Sequence, residues 1–414
     1  MKLKKIEYTN YRGLKTGEMS FEDNLTVISG KNGAGKTSVL MTVVTAVSWI
    51  IARIRAEKGT GTYISENEIT NGYLHSRLTA YFDELEHSII IPNRQKKGIA
   101  KKYAIDIAAV RDYASRKRKE IENTNFLTSI PVFAFYGVKR AVLDIPLRIW
   151  NKETNMFDAY GGCLNGAANF RDFFMWFRNQ EDIENEYKNR NGEGVRDNTR
   201  ELDTFRRAMA VFMPEYTDIH VRRHPLRMLV KKQGETLNVA QLSDGEKIYL
   251  SLIGDLCRRL VLANPTLEDP LQGEGIVLID ELDLHLHPEW QGDIAGKLNK
   301  VFPKIQFIVT THSPHVLNRI QPSCIRMLND GNISTADYSY GMPSEIVLKD
   351  VMGLSNDQPE EVENAFKAIY NAINDGDYDE VSRLHSRLVN EIPRHPELTR
   401  VRKLIDRLNK GAQK

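Results

Sequence analysis

Alternating runs and unbroken apolar runs along the chain predict strands and helices of unequal burial. Lys2 to Thr9 alternates polar and apolar positions, and Leu25-Thr-Val-Ile-Ser29 is β-branched and stops at a glycine, so both predict strands. Thr37 to Lys58 holds no proline and is apolar on most sides, which predicts a buried helix. Beyond a Gly-, Thr- and Asn-rich loop from Gly59 to Gly72, strand-like segments recur at Arg77–Phe82, His87–Pro92 and Ile130–Tyr136. Gly275-Ile-Val-Leu-Ile and Ile305-Gln-Phe-Ile-Val-Thr suit strands covered on both faces. Asn169–Asn191 has the pattern of a helix, carrying Phe170, Phe173, Phe174, Trp176 and Phe177 before it turns charged. Paired strands around Asp218–Val230 follow. Glu360–Lys414 is helical in pattern, interrupted near Pro393 and Pro396. The chain shows no internal repeat and no low-complexity tract.

These elements predict an α/β fold with a mixed sheet. They divide the chain into an N-terminal half at 1–93, a basic insertion at 94–128 and a core strand and loop at 129–168. A helical insertion or short arm at 169–215, a C-terminal half at 216–345 and a helical extension at 346–414 complete it. Hydrophobic residues at 41% and charged residues at 27% argue against wholesale disorder. A net charge of +2 means that nucleic-acid binding would have to come from local patches. Two are visible: Lys96, Lys97, Lys101, Lys102 and Arg116 to Lys119, and a C-terminal set of Arg400, Arg402, Lys403, Arg407 and Lys410. Each is equally consistent with a solvated face. Cys163, Cys257 and Cys324 lie far apart with no CxxC, as reduced thiols would. The start lacks an apolar signal core, and Val39–Ile54 is interrupted by Thr, Ser and Arg, so a cytoplasmic protein with no membrane partner is expected.

Gly30-Lys-Asn-Gly-Ala-Gly-Lys36-Thr37 lies between a β-branched strand and a helix, the setting a phosphate loop needs. Gly30, Gly33 and Gly35 let backbone N–H groups curl around phosphates at a helix N-terminus. Lys36 would reach the β- and γ-phosphates and the Thr37 hydroxyl would ligate Mg²⁺. Asn32 and Ser38 are counted with this loop. Asp280 and Glu281 end the apolar run at 275–279. Asp280 would hold Mg²⁺ and Glu281 would activate the attacking water. Leu242-Ser243-Asp244-Gly245-Glu246 opens an apolar helix, as a plain capping box or as a second phosphate-binding N-terminus. His312 closes the run from Ile305. A lone histidine is more often structural, but its place after Asp280 and Glu281 favours a role beside the γ-phosphate.

Together, in this order, these segments resemble the ABC-ATPase heads of the SMC/RecF class. That resemblance implies ATP as the nucleotide and two heads that sandwich it in a homodimer. Ser243 and Gly245 of one copy would act on ATP held at Lys36 and Thr37 of the other. Leu282 to Pro288 is similar to the D-loop, with Asp283 at the dimer seam. That reading outweighs a metal site at His285 and His287, which lack further ligands at matching spacing. Asn10-Tyr-Arg12-Gly resembles the early motif in which an arginine approaches nucleotide phosphate. The chain departs from the pattern twice. Asp244 stands where glycine is commoner, and no Q-loop glutamine ends the strand at Tyr136, where Tyr136 and Arg140 are weak substitutes. The interval between Lys36 and Ser243 carries no sustained heptad run, unlike the long coiled coil of a true SMC protein.

Ile130–Arg140 and Asn169–Arg178 resemble stand-alone bacterial ATPases of the AAA15/AAA21 groups, of the Septu and retron PtuA type or the PARIS AriA type. The resemblance implies a sensor and scaffold in anti-phage defence that controls a separate effector such as an HNH nuclease. A RecF-like DNA-repair ATPase is the alternative. A self-contained nuclease with a Toprim domain is disfavoured, since Asp375-Gly-Asp377 follows a helical pattern and predicts a turn. The tail past Met352 is expected to dock a partner or a further copy.

Overall fold

Strands β3 (Leu25–Ser29), β10 (Gly275–Ile279) and β11 (Ile305–Thr310) are apolar throughout because layers cover both their faces; every residue in them is buried. With β6 (Val132–Tyr136), β12 (Ile325–Asn329) and β13 (Asn332–Thr335) they form a six-stranded sheet in the order β13-β12-β3-β11-β10-β6. Only β13 runs antiparallel to its neighbour. The C-terminal ends of β3, β10 and β11 therefore share one edge, where Gly30, Asp280 and Thr311 follow, as expected of a ligand site in such sheets. A second, antiparallel sheet has the order β2-β1-β4-β5, from β1 (Leu3–Tyr11), β2 (Leu14–Ser20), β4 (His75–Phe82) and β5 (Ile89–Gln95). The computed structural model describes residues 1–85, 89–95, 105–138, 154–191, 199–329, 331–353 and 359–411.

Helix α1 (Lys36–Arg55) leaves the phosphate loop and packs on β1, β4, β6 and β11. At 20 residues it is long and apolar enough to cross a membrane, but 72% of its apolar window is buried inside the head, as in a core helix. Against it lies α2 (Ala108–Asn123), through buried Val110, Tyr113, Ala114 and Ile121. The basic residues 116–119 are on this packed helix, whereas Lys96, Lys97, Lys101, Lys102 and Arg140 lie outside the described residues.

The aromatic cluster has a packing explanation. Helix α3 (Phe170–Asn191) meets α4 (Arg200–Phe212) with the Phe173 and Phe205 rings 5.1 Å apart. Phe173 also sits over Gly254 of α5 (Asp244–Ala263), where an added Cβ would come 2.7 Å from the ring. A small sheet of β7 (Tyr216–Arg222), β8 (Arg227–Lys232) and β9 (Glu235–Asn238) leads through a 3-10 turn at Val239–Gln241 into α5. Helix α6 (Pro288–Val301) and two single turns, α7 (Pro314–Leu317) and α8 (Ser344–Ile346), complete this unit.

The chain divides into Met1–Val347 and Leu348–Lys414. The second unit holds α9 (Glu360–Asn374), α10 (Tyr378–Glu391) and α11 (Pro396–Gly411) around Phe366, Ile369, Val381, Leu388 and Val401. Asp375-Gly376-Asp377 is the turn between α9 and α10. Asp377 caps α10 by accepting the N–H of Glu380 at 3.1 Å, so these acids end no strand.

Candidate nucleotide site

The phosphate loop leaves β3 and passes against the end of β12. Gly30 has φ +154°, and a Cβ there would stand 2.1 Å from the Leu328 carbonyl oxygen, so no other residue lets the loop pass. Gly33 and Gly35 complete the turn, with Asn32 exposed at its tip. The Lys36 ammonium donates to the carbonyls of Gly30 at 2.9 Å and Lys31 at 3.0 Å. Burial holds its pKa below the usual lysine range, against the opposing pull of Asp280, Glu281 and Asp283.

Thr37 donates its hydroxyl to Asp280 Oδ2 at 2.8 Å, so the loop and the carboxylate strand meet directly. Asp280 Oδ1 accepts from the Thr310 hydroxyl at 2.7 Å. Glu281 stands in the left-handed region at φ +49°. Asp283 Oδ1 accepts from the Thr311 hydroxyl at 2.5 Å and from the His312 N–H at 3.3 Å. Burial, then Lys36, holds the His312 imidazole below its ordinary pKa, with Asp283, Glu281 and Asp280 acting in the other direction. Lys36, Thr37, Asp280, Glu281, Asp283 and His312 thus form one cluster. Arg12 borders it by its main chain: Ser38 donates its hydroxyl to the Arg12 carbonyl at 3.4 Å. The Arg12 guanidinium is paired with Glu68, Nε to Oε1 at 2.8 Å.

Ser243 caps α5 in a reciprocal box. Its N–H donates to Glu246 Oε2 at 2.7 Å and its hydroxyl accepts from the Glu246 N–H at 3.4 Å. Glu246 also accepts from Lys232 Nζ at 2.8 Å and bonds the Tyr216 hydroxyl. Burial alone would raise its pKa, but Lys232, Tyr216 and Ser243 together bring it down to about 2. A Cβ on Gly245 would lie 2.3 Å from the His285 carbonyl oxygen. The signature turn therefore abuts the D-loop of the same chain, and Ser243 itself is exposed.

Several participants escape sequence reading. Gln291 on α6 donates to the carbonyls of Leu286 at 2.9 Å and Asp283 at 3.3 Å and accepts from the Ser313 hydroxyl at 2.7 Å, joining the D-loop to the segment after His312. Thr310 and Thr311 offered one signal, two polar residues closing a buried apolar strand. Nothing local marked Gln291 or Glu68. Tyr136 does not stand in for a Q-loop glutamine. It is fully buried, and its hydroxyl donates to Asp255 Oδ2 at 2.9 Å, beside the Arg259 guanidinium at 2.8 Å. Only its carbonyl touches the site, accepting the N–H of Asp280 at 2.8 Å. Among the described residues no group of three or more His, Cys, Asp or Glu side chains could hold a metal; His287 instead caps α6.

A phosphate loop, a carboxylate pair, a D-loop and a histidine on one sheet edge, with a serine-capped helix against the D-loop, define an ABC-type ATPase head. A family model described as "AAA ATPase domain" matches residues 1–130, and one described as "AAA domain, putative AbiEii toxin, Type IV TA system" matches residues 151–318. The Retron Ec83 probable ATPase of Escherichia coli is 30% identical, covering 86% of this chain and 77% of that protein. The Retron Vc95 probable ATPase of Vibrio cholerae serotype O1 biovar El Tor is also 30% identical, over 80% of this chain and 74% of its own length. Septu protein PtuA of Bacillus thuringiensis is 24% identical, over 85% and 84%. The chain belongs to the family of these retron ATPases.

Proposed function

We propose that two copies of this chain close around ATP, hydrolyse it, and so switch a separate effector, a nuclease of HNH type, in cytoplasmic anti-phage defence. One observation supports the sandwich most. The signature turn is closed by its own capping box, stays exposed at Ser243 and lies against the D-loop, which favours a single seam surface made of both elements. In the closed form Ser243 and Gly245 of one copy complete the triphosphate site at Gly30–Thr37 of the other, and Asp283 lies at the seam.

Within each site the loop N–H groups and Lys36 take the phosphate oxygens, Lys36 leaving its own carbonyls to do so. Glu281 accepts the proton of the attacking water, and His312 stands by the γ-phosphate. Thr37 Oγ1 and Asp280 Oδ2, 2.8 Å apart, are hard oxygen donors suited to Mg²⁺. When bound, the ion would neutralise charge on the phosphate oxygens. The chemistry is ATP hydrolysis alone, and the nuclease is the partner's. All these residues lie in the first unit; the C-terminal helices, with a core of their own, are assigned to partner docking. DNA contact is the lesser part of this reading. On α2, Lys117 is paired with Glu120 at 3.0 Å and Arg118 bonds the Arg53 carbonyl, which leaves fewer cations for phosphates.

Light scattering of Glu281→Gln tests the sandwich. ATP should convert it to an assembly of at least two copies that does not form without nucleotide. Oligomeric state indifferent to ATP at every concentration would end the reading. Phage plating with the native gene neighbours present should show protection lost in Lys36→Ala.

A further inference from the structure

We infer that Thr310 is the positioning residue that aims both catalytic carboxylates, an inference that rests on the reading of Glu281 as general base. Thr310 closes β11 and is fully buried. Parallel pairing of β10 with β11 runs to Ile279 opposite Val309, so the next positions facing each other are Asp280 and Thr310. Three consecutive residues of the carboxylate turn are then held by this one threonine. Its hydroxyl donates to Asp280 Oδ1 at 2.7 Å and accepts the Glu281 N–H at 2.7 Å. Its carbonyl accepts the Leu282 N–H at 2.8 Å.

A hydroxyl has one proton to give. With that proton on Asp280 Oδ1, the other carboxylate oxygen is the one that meets Thr37 Oγ1, at 2.8 Å. The lone pair facing Glu281 has a different effect. Glu281 adopts φ +49°, a region that a residue with a side chain enters only against steric resistance, and the bond to Thr310 falls on the N–H of that residue. Without the hydroxyl the N–H loses this bond, and a return to negative φ becomes easier, which re-aims the Glu281 carboxylate. Packing alone does not call for threonine here. Val309 and Ile308 precede it in the same buried strand, and valine has the same branched shape.

The test compares Thr310→Val, Thr310→Ser and Thr310→Cys with the parent and with Glu281→Gln. Turnover is measured alongside thermal melting and the affinity for a fluorescent ATP analogue without Mg²⁺. Thr310→Val should lose roughly ten- to a hundredfold in kcat, the scale of a misplaced catalytic group, while analogue affinity changes less than about twofold. Thr310→Ser should restore most of the rate, and Thr310→Cys, with its weaker donor, should fall between. If valine prevents folding, the serine and cysteine pair decides the matter. A folded valine or cysteine enzyme turning over at the parent kcat overturns the positioning role, whatever Glu281→Gln does. Parent-rate turnover by Glu281→Gln overturns the base assignment instead.

Discussion

Two acid-bearing turns face opposite tasks in this head. The carboxylate turn at Asp280–Asp283 is knitted from within: threonines at 37, 310 and 311 each spend a hydroxyl on it, and Asp280 is buried. The signature turn at Ser243–Glu246 carries two acids against three in the first, but its bonds run backward to Lys232 and Tyr216 and leave Ser243 in solvent. On the proposed reading the first serves chemistry inside one chain. The second, on that reading, presents a capped helix start to a second copy. The capping box takes up the Glu246 N–H, and the N–H groups at the start of a helix attract phosphate.

The sharpest way to break this contrast is at Glu281. Glu281→Gln should cut turnover about 10²–10⁴-fold with ATP still bound, measured by phosphate release and nucleotide affinity. Next comes Ser243→Arg. It should reduce hydrolysis by about the same order where two copies must meet, while the affinity of each isolated site for ATP shifts less than about twofold. A complete loss of ATP binding would place the signature in the same chain's site.

Smaller effects probe the support on each side. Gly245→Ala drives a methyl toward the His285 carbonyl, 2.3 Å away, and should cost about 1–3 kcal/mol by urea unfolding. Lys232→Met tests the depressed Glu246 carboxyl. Its folded pKa of about 2 lies below the ordinary 4.5, so its contribution to stability is present above pH 4.5 and lost as pH falls toward 2. The variant should show a shallower loss of stability across that window, read by acid titration of the unfolding midpoint.

The sequence displayed those parts of the site whose chemistry is local. Gly30–Thr37 needs its glycines and lysine in one turn, and Asp280 and Glu281 need only the end of an apolar strand, so both stand out as motifs. The supports are remote in sequence and adjacent only through sheet register. Thr310 reaches Asp280 across 30 residues, and Arg12 meets Glu68 across 56. Tyr136 shows the reverse case: its position at a strand end suggested the site, yet parallel pairing beside β10 gave the site its carbonyl and sent the hydroxyl into the core with Asp255. In α3 the aromatic run that carries part of the family resemblance is also packing, with Phe173 and Phe177 against Phe205 of α4 and Phe173 against Gly254 of α5.

The claim that one copy completes another's nucleotide site is tested most directly by mixing two inactive variants. Lys36→Ala lacks the triphosphate lysine and Ser243→Arg lacks the signature serine, and each alone should be nearly inert. Mixed in equal amounts, they should recover roughly a quarter of the parent rate, because half of the random dimers are mixed and each of those holds one whole site. No recovery on mixing two folded variants that are each inert alone would contradict the account.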